Sequence, residues 1–197
     1  MFAIMPLMKT THVANSGLPV TTGFAHPARN VGALGIEPGM TVADFGAGSG
    51  AYVLAIASRL AGSGKVYAID VQRDLLRRIN TDADKKGLTT VNVLWGDLEK
   101  PQGSKLGDAS CDLVLISNLL FQLEDKMTPL KEAMRILRPR GRLAIIDWQE
   151  SFGGMGPIKS HVVDKKNAHQ LAIGAGFELV REFDAGAHHY GLVFRKV

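Results

Sequence analysis

Short apolar stretches alternate with longer segments whose apolar residues recur at helical spacing, and this alternation fills the chain from residue 41 onward. Thr41–Phe45 reads as a buried strand, with Val42, Ala43 and Phe45 apolar, and the mostly apolar segment behind it predicts a covered helix over 50–61. Gly62-Ser63-Gly64 turns the chain into a second strand, Lys65–Asp70. Leu75, Leu76, Ile79 and Ala83 share one face of a helix over 73–86, which Gly87 ends. A third strand, Val91–Trp95, precedes a polar stretch around 100–108. A fourth strand is read over 112–117, where Leu113–Ile116 is unbroken apolar sequence, as in a central parallel strand covered on both faces.

The second half repeats the pattern. Thr128-Pro129 starts a helix with proline at its first position; Leu130, Ala133, Met134 and Leu137 are expected to face inward, and Pro139 and Gly141 to stop it. A fifth strand over 142–148 leads into a glycine-rich loop, 149–163, and Asp164 caps a helix that runs to Ala175. Two last strands, 178–183 and 189–195, read as an antiparallel hairpin. The sum is an α/β fold: a doubly wound sheet of seven strands, mostly parallel with an antiparallel C-terminal strand, and helices on both faces.

Composition narrows the picture modestly. With 46% apolar residues in 197, the chain can bury a sizeable core and is not expected to be disordered. The net charge of +4 is mildly basic, and no Lys/Arg block is interleaved with aromatics, so a nucleic-acid partner is not expected. One cysteine, Cys111, rules out an internal disulfide and a cysteine-rich zinc site; no metal is expected, and the thiol reads as buried. Residues 1–30 are set apart as an arm or lid, with 31–197 as the domain proper. The opening run is apolar but too short to span a bilayer and lacks a leading basic region, so no membrane anchor and a cytoplasmic compartment are expected.

The chemistry concentrates where strands end. After the first strand comes DFGAGSG, with Asp44 two residues before Gly46 and then Gly48 and Gly50. A bare backbone there lets a bulky ligand lie against the strand end and the following helix N-terminus. Asp70 ends the second strand, where an acid can accept hydrogen bonds from both hydroxyls of a ribose. Gly96-Asp97-Leu98 follows the third strand, well placed to meet an exocyclic amine, and Ser117-Asn118 ends the fourth. Gly46, Gly48 and Ala51 also fit the loose dinucleotide pattern G-x-G-x-x-G/A. An NAD-dependent oxidoreductase is therefore a second reading. The third glycine, the GDL after the third strand, the terminal hairpin and the lack of a Tyr-x-x-x-Lys pair stand against it.

Taken in order, these residues resemble the class I S-adenosylmethionine-dependent methyltransferases, over about residues 24–197. DFGAGSG is similar to the family's first motif, AIDV to its ribose motif and WGDL to its adenine motif; CDLVLISN and ILRPRGRLAIIDW match its fourth and fifth strands. FAHPARNVGALGIEPGMTV resembles the small-molecule branch that includes the ubiquinone/menaquinone methyltransferases. The resemblance implies a Rossmann-like sheet, S-adenosylmethionine as cofactor and S-adenosylhomocysteine as product. It implies that Asp44 helps hold the methionine portion, that Gly46, Ala47, Gly48 and Gly50 admit the cofactor, and that Asp70 binds the ribose. Val71 would pack on adenine, Gly96, Asp97 and Leu98 would meet its edge, and Asn118 would line the methionine end.

Methyl transfer from a sulfonium needs no acid, and needs a base only where the acceptor must lose a proton. His26 and Asp147 are the candidates placed first, with His161 and His189 behind them; Arg29 is a candidate partner for the cofactor carboxylate, and Trp148 a candidate pocket wall. Asp147 is expected to face the cleft from the end of the fifth strand. Ser-Asn-Leu-Leu after the fourth strand lacks the Asn/Asp-Pro-Pro-Tyr signature of adenine and glutamine methylators, and a single cysteine argues against arsenite. A small-molecule acceptor is the expectation; Phe2, Ile4, Met5, Leu7 and Met8 in the arm suit an apolar or aromatic one and equally suit a plain hydrophobic plug. A protein or RNA methyltransferase of the same fold and a non-catalytic cofactor-binding module stay open, as do the attacking atom and the oligomeric state.

Overall fold

The computed structural model describes residues 25–154 and 156–197. The apolar arm expected at the N-terminus lies outside the described residues. The described chain runs α1 (Pro27–Ala33), β1 (Thr41–Phe45), α2 (Ala51–Leu60), β2 (Lys65–Asp70), α3 (Arg73–Lys85), β3 (Val91–Trp95) and β4 (Cys111–Ser117). It continues through α4 (Met127–Ile136), β5 (Leu137–Trp148), α5 (Lys165–Gly174), β6 (Phe177–Asp184) and β7 (His189–Lys196). One sheet holds all seven strands in the order β3-β2-β1-β4-β5-β7-β6, and β7 runs antiparallel to both its neighbours.

Successive side chains of a strand point to opposite faces, and here both faces are buried. Val42 of β1, Val66 of β2 and Leu113 and Leu115 of β4 meet Val53, Ile56 and Leu60 of α2 and Ile79 of α3. Ala43, Phe45, Val114 and Ile116 meet Leu130, Ala133 and Ile136 of α4 and Ala168 and Ala172 of α5. Leu113, Val114, Leu115 and Ile116 of β4 are fully buried, each contributing about 1.5–3 kcal/mol, and Leu143–Ile146 of the neighbouring β5 are buried as completely. The edge strand β6 carries Glu178, Arg181 and Glu182, charges that discourage pairing with another chain.

Two departures from the sequence reading matter for the site. The helix before β5 ends at Ile136, and Leu137, expected on its inward face, instead opens a twelve-residue β5. Pro139 disfavours helical backbone in the residues just ahead of it. The pairing with β4 shifts register between Cys111 and Leu113, which absorbs the additional residues. At the other end, α1 straddles the expected boundary at residue 30. Asn30 is buried and donates to the Tyr52 hydroxyl at 3.0 Å and to the Ala185 carbonyl at 2.9 Å, so α1 belongs to the folded core. Among the described residues no helix is long and apolar enough to cross a membrane.

Candidate active site

The chain winds from β1 outward to β3, then crosses back to β4 and winds the other way. The point between β1 and β4 where winding reverses leaves a crevice beyond the strand ends. Two cavities of about 300 and 330 Å³ occupy it, and they share Gly46, Gly48 and Gln122, so they form one cleft. One half is lined by Asp70, Val71, Gly96, Asp97 and Leu98; the other by Asp44, Ala47, Tyr52, Ser117 and Asn118. Among the residues expected to bind a cofactor, all but Gly50 and Arg29 line this cleft.

Gly50 is turned elsewhere. Its φ is +80°, and a Cβ there would lie 2.5 Å from Ile79 Cγ1, so glycine is required for α2 to pack on α3. Gly48, with φ +53°, has only the Gly46 carbonyl within 4 Å of its Cβ position, and its open side belongs to the cleft. The turn is held by Asp70: Oδ2 accepts from Gly48 N at 2.9 Å and Oδ1 from Gln72 N at 2.8 Å. Each carboxylate oxygen keeps a further lone pair for a ligand hydroxyl. Asp97 Oδ1 accepts from Glu99 N, and Glu99 accepts from Glu124 N and Asp125 N, which draws the 123–125 loop to the cleft's rim. Sequence reasoning missed Glu99, Tyr52 and Gln122, whose roles depend on contacts between segments distant in the chain.

Asp44 is 2% exposed, and its Oδ1 has no hydrogen-bond partner. Burial, reinforced by the charge of Asp70, pushes its carboxyl up to about 8. A buried carboxyl of this kind calls for a donor or cation from a ligand.

The base candidates fall differently. Asp147 does not face the cleft. It pairs in register with Tyr190 and is fully buried; Oδ2 accepts from Leu120 N at 3.0 Å and Oδ1 from Trp148 N at 2.8 Å. Burial pushes its carboxyl up to about 7, against the lowering effect of those N–H groups. Its side chain follows Ile145 to the α4/α5 face, where it fastens the one-turn 3-10 helix Leu120–Gln122 under the cleft. His26 is half-buried at the head of α1, between Ala25 and Pro27, both of which line the Asp44 half. His161 lies on an exposed 3-10 turn, and Arg29 pairs with Asp184 at 3.1 Å. Trp148 is 9% exposed, its ring 4.3 Å from that of His189, and Phe152 stacks on His188 at 3.8 Å.

A glycine turn after β1, an acid at the end of β2 and a cleft at the switch point are the features with which doubly wound α/β proteins bind nucleosides. Residues 36–191 match the family model described as a methyltransferase domain, and the chain belongs to that family. It is 30% identical over 149 residues to an arsenite methyltransferase of Aquipseudomonas alcaligenes, covering 73% of this chain and 41% of that protein. It is 30% identical over 115 residues to a ubiquinone/menaquinone biosynthesis C-methyltransferase of Paraburkholderia phymatum, covering 58% and 46%. The solved structure of a SAM-dependent methyltransferase from Aquifex aeolicus superposes with a TM-score of 0.80 at 29% identity, covering 88% of this chain and 91% of that one. The chain spans less than half the length of these two curated relatives.

Proposed function

We propose that this chain transfers a methyl group from S-adenosylmethionine to a small-molecule acceptor. The observation that carries the reading is the pair of acids in one cleft: Asp70, held by two backbone N–H groups, and Asp44, buried with an unpartnered oxygen. The first suits a ribose diol. The second suits the cationic amino-acid end of the same molecule, which would draw Asp44 to its charged form. Val71, Asp97 and Leu98 would take the base, and the bare edge at Gly48 would let the ligand approach the backbone.

The cofactor supplies an activated methyl group; the chain's task is alignment and exclusion of water, worth up to ~7–11 kcal/mol for well-oriented reactants. Asp147 serves by fixing the Leu119-Leu120 turn. His26, beside two residues that line the Asp44 half, is the imidazole we assign to proton removal where the acceptor requires it. Trp148, Phe152, His188 and His189 gather at the ends of β5 and β7 and favour an apolar or aromatic acceptor. Arsenite is disfavoured within these 197 residues. The one thiol, Cys111, is buried at the opposite end of β4 and pushed up to about 11 by that burial.

Calorimetric titration with S-adenosylmethionine, S-adenosylhomocysteine and NAD tests the reading, with Asp70→Ala as control. Micromolar binding of the first two, lost in the variant and absent for NAD, is expected. Binding of NAD alone would overturn it. Turnover on a peptide or RNA panel without turnover of small aromatic acceptors would reassign the substrate.

A further inference from the structure

We infer that Asn30 is a positioning residue for the carboxylate of an amino-acid ligand. Its NH2 group fills the Tyr52 hydroxyl from behind, so that the hydroxyl pair of Tyr52 and Ser117 turns a proton toward the Asp44 half of the cleft. The inference rests on the S-adenosylmethionine reading of that cleft and adds what meets the carboxylate there.

A bound carboxylate would meet no lysine or arginine among the described residues that line the cleft. Arg29, expected in that role from the sequence, is paired with Asp184 at 3.1 Å. The donor must therefore be neutral. The ammonium and carboxylate of an α-amino acid share one carbon, so a ligand whose ammonium meets Asp44 brings its carboxylate alongside. Tyr52 and Ser117 line the same half of the cleft, and Asp44 is near enough for its charge to act on the Tyr52 hydroxyl.

Asn30 sets which way that hydroxyl faces. It is 1% exposed, and its Nδ2 lies 2.9 Å from the Ala185 carbonyl and 3.0 Å from the Tyr52 hydroxyl. A carbonyl only accepts, so the group between these two oxygens is the NH2, with one proton for each. Tyr52 Oη receives a proton from Asn30 and cannot give its own back. Asn30 Oδ1 is left buried without a hydrogen-bond partner, so the amide is held by its nitrogen alone. Ser117 is the other side-chain hydrogen-bond partner of Tyr52. The two hydroxyls hold two protons, and the hydrogen bond between them uses one. The second is left for the cleft, whichever hydroxyl carries it. Burial pushes the Tyr52 hydroxyl above its ordinary range, so it keeps its proton at neutral pH. This half of the cleft sets an acceptor, Asp44, beside a neutral donor, which is what an ammonium and a carboxylate on one carbon require.

The test uses the full chain and two ligands: S-adenosylhomocysteine and its decarboxylated counterpart, which keeps the nucleoside, the thioether and the amine. Both carry the ammonium group, so the Asp44 contribution largely cancels and their affinity ratio reports the carboxylate. Removing both hydroxyls with Tyr52→Phe and Ser117→Ala together, which keeps the ring, should lower the preference for S-adenosylhomocysteine about tenfold. Asn30→Leu should lower it about threefold or more, because the freed Ala185 carbonyl then competes for the Tyr52 proton. A variant that merely loosens the fold weakens both ligands alike and leaves the ratio where it was. An unchanged ratio in Asn30→Leu, or in the double variant, overturns the inference alone. If Asn30→Leu does not fold, the wild-type amide decides. Tyr52→Phe should move one Asn30 side-chain amide proton upfield in the NMR spectrum and leave the other, held by Ala185, in place. Two unmoved amide protons overturn the inference. Failure of both ligands to bind wild type overturns the cofactor reading, and the inference with it.

Discussion

Asp44→Asn should stabilise the free protein, and by more as the pH rises. In the folded state the carboxyl titrates near 8, against an ordinary value of 3.8, because it is buried and faces Asp70. Between those values the folded chain holds a proton that the unfolded chain has lost. Unfolding then releases a proton, so stability falls as pH rises through this window. The slope is about 1.4 kcal/mol per pH unit, which gives a loss of about 3 kcal/mol between about pH 5 and about pH 7 from this group alone. Asparagine has no such slope. The quantity to measure is the gap in urea-unfolding free energy between variant and wild type at the two pH values. Groups common to both proteins cancel, including Asp147, whose raised carboxyl adds a slope of its own. The gap should widen by about 3 kcal/mol, or about 6–12 °C in Tm for a domain of this size. A gap constant to within about 0.5 kcal/mol would mean that Asp44 is already charged at neutral pH, and the reasoning fails. The same proton must leave when a cationic ligand binds. Wild-type affinity for S-adenosylmethionine should therefore rise toward about pH 8, while that of the variant is weaker and loses this part of the pH dependence.

Two further substitutions probe parts of the fold that hold the cleft. Glu132 of α4 is 5% exposed and accepts from Ser104 N at 3.1 Å, from the Ser104 hydroxyl and from Arg135. Glu132→Ala should cost about 3–5 kcal/mol by denaturant titration because it strands those donors, and a loss under about 1 kcal/mol would contradict this. Gly50→Ala should cost about 2–4 kcal/mol through its positive φ and the collision with Ile79, with part recovered by Ile79→Val. Cofactor affinity measured below the unfolding transition should be unchanged in Gly50→Ala; lost affinity at intact stability would return Gly50 to the cleft.

Much of this protein was legible from the chain alone. The spans of β1, β2 and β3 match the sequence reading residue for residue, because each is an apolar run closed by a glycine or acidic turn within a few positions. Asp164 does cap its helix, accepting from Asn167 N at 2.8 Å. Asp44, Asp70, Asp97 and Asn118 are legible as site residues because each lies at or just beyond the C-terminal end of a parallel strand, where open α/β sheets bind ligands. These are local signals, and the alternation of strand and helix that orders them is local too.

What the tertiary structure decided is where side chains point and what they meet. The parity of β5 sends Asp147 into the core with Ile145 rather than toward the cleft. Gly50 looks like its neighbours in the motif, yet Ile79, from another helix, sets its role. Asn30 and Tyr52 meet 22 residues apart, and Asn118 and His189 meet 71 apart. Turn chemistry and periodicity act over a few residues. Contacts between distant segments exist only once the sheet has closed its register and the two apolar layers have packed, so no local pattern encodes them.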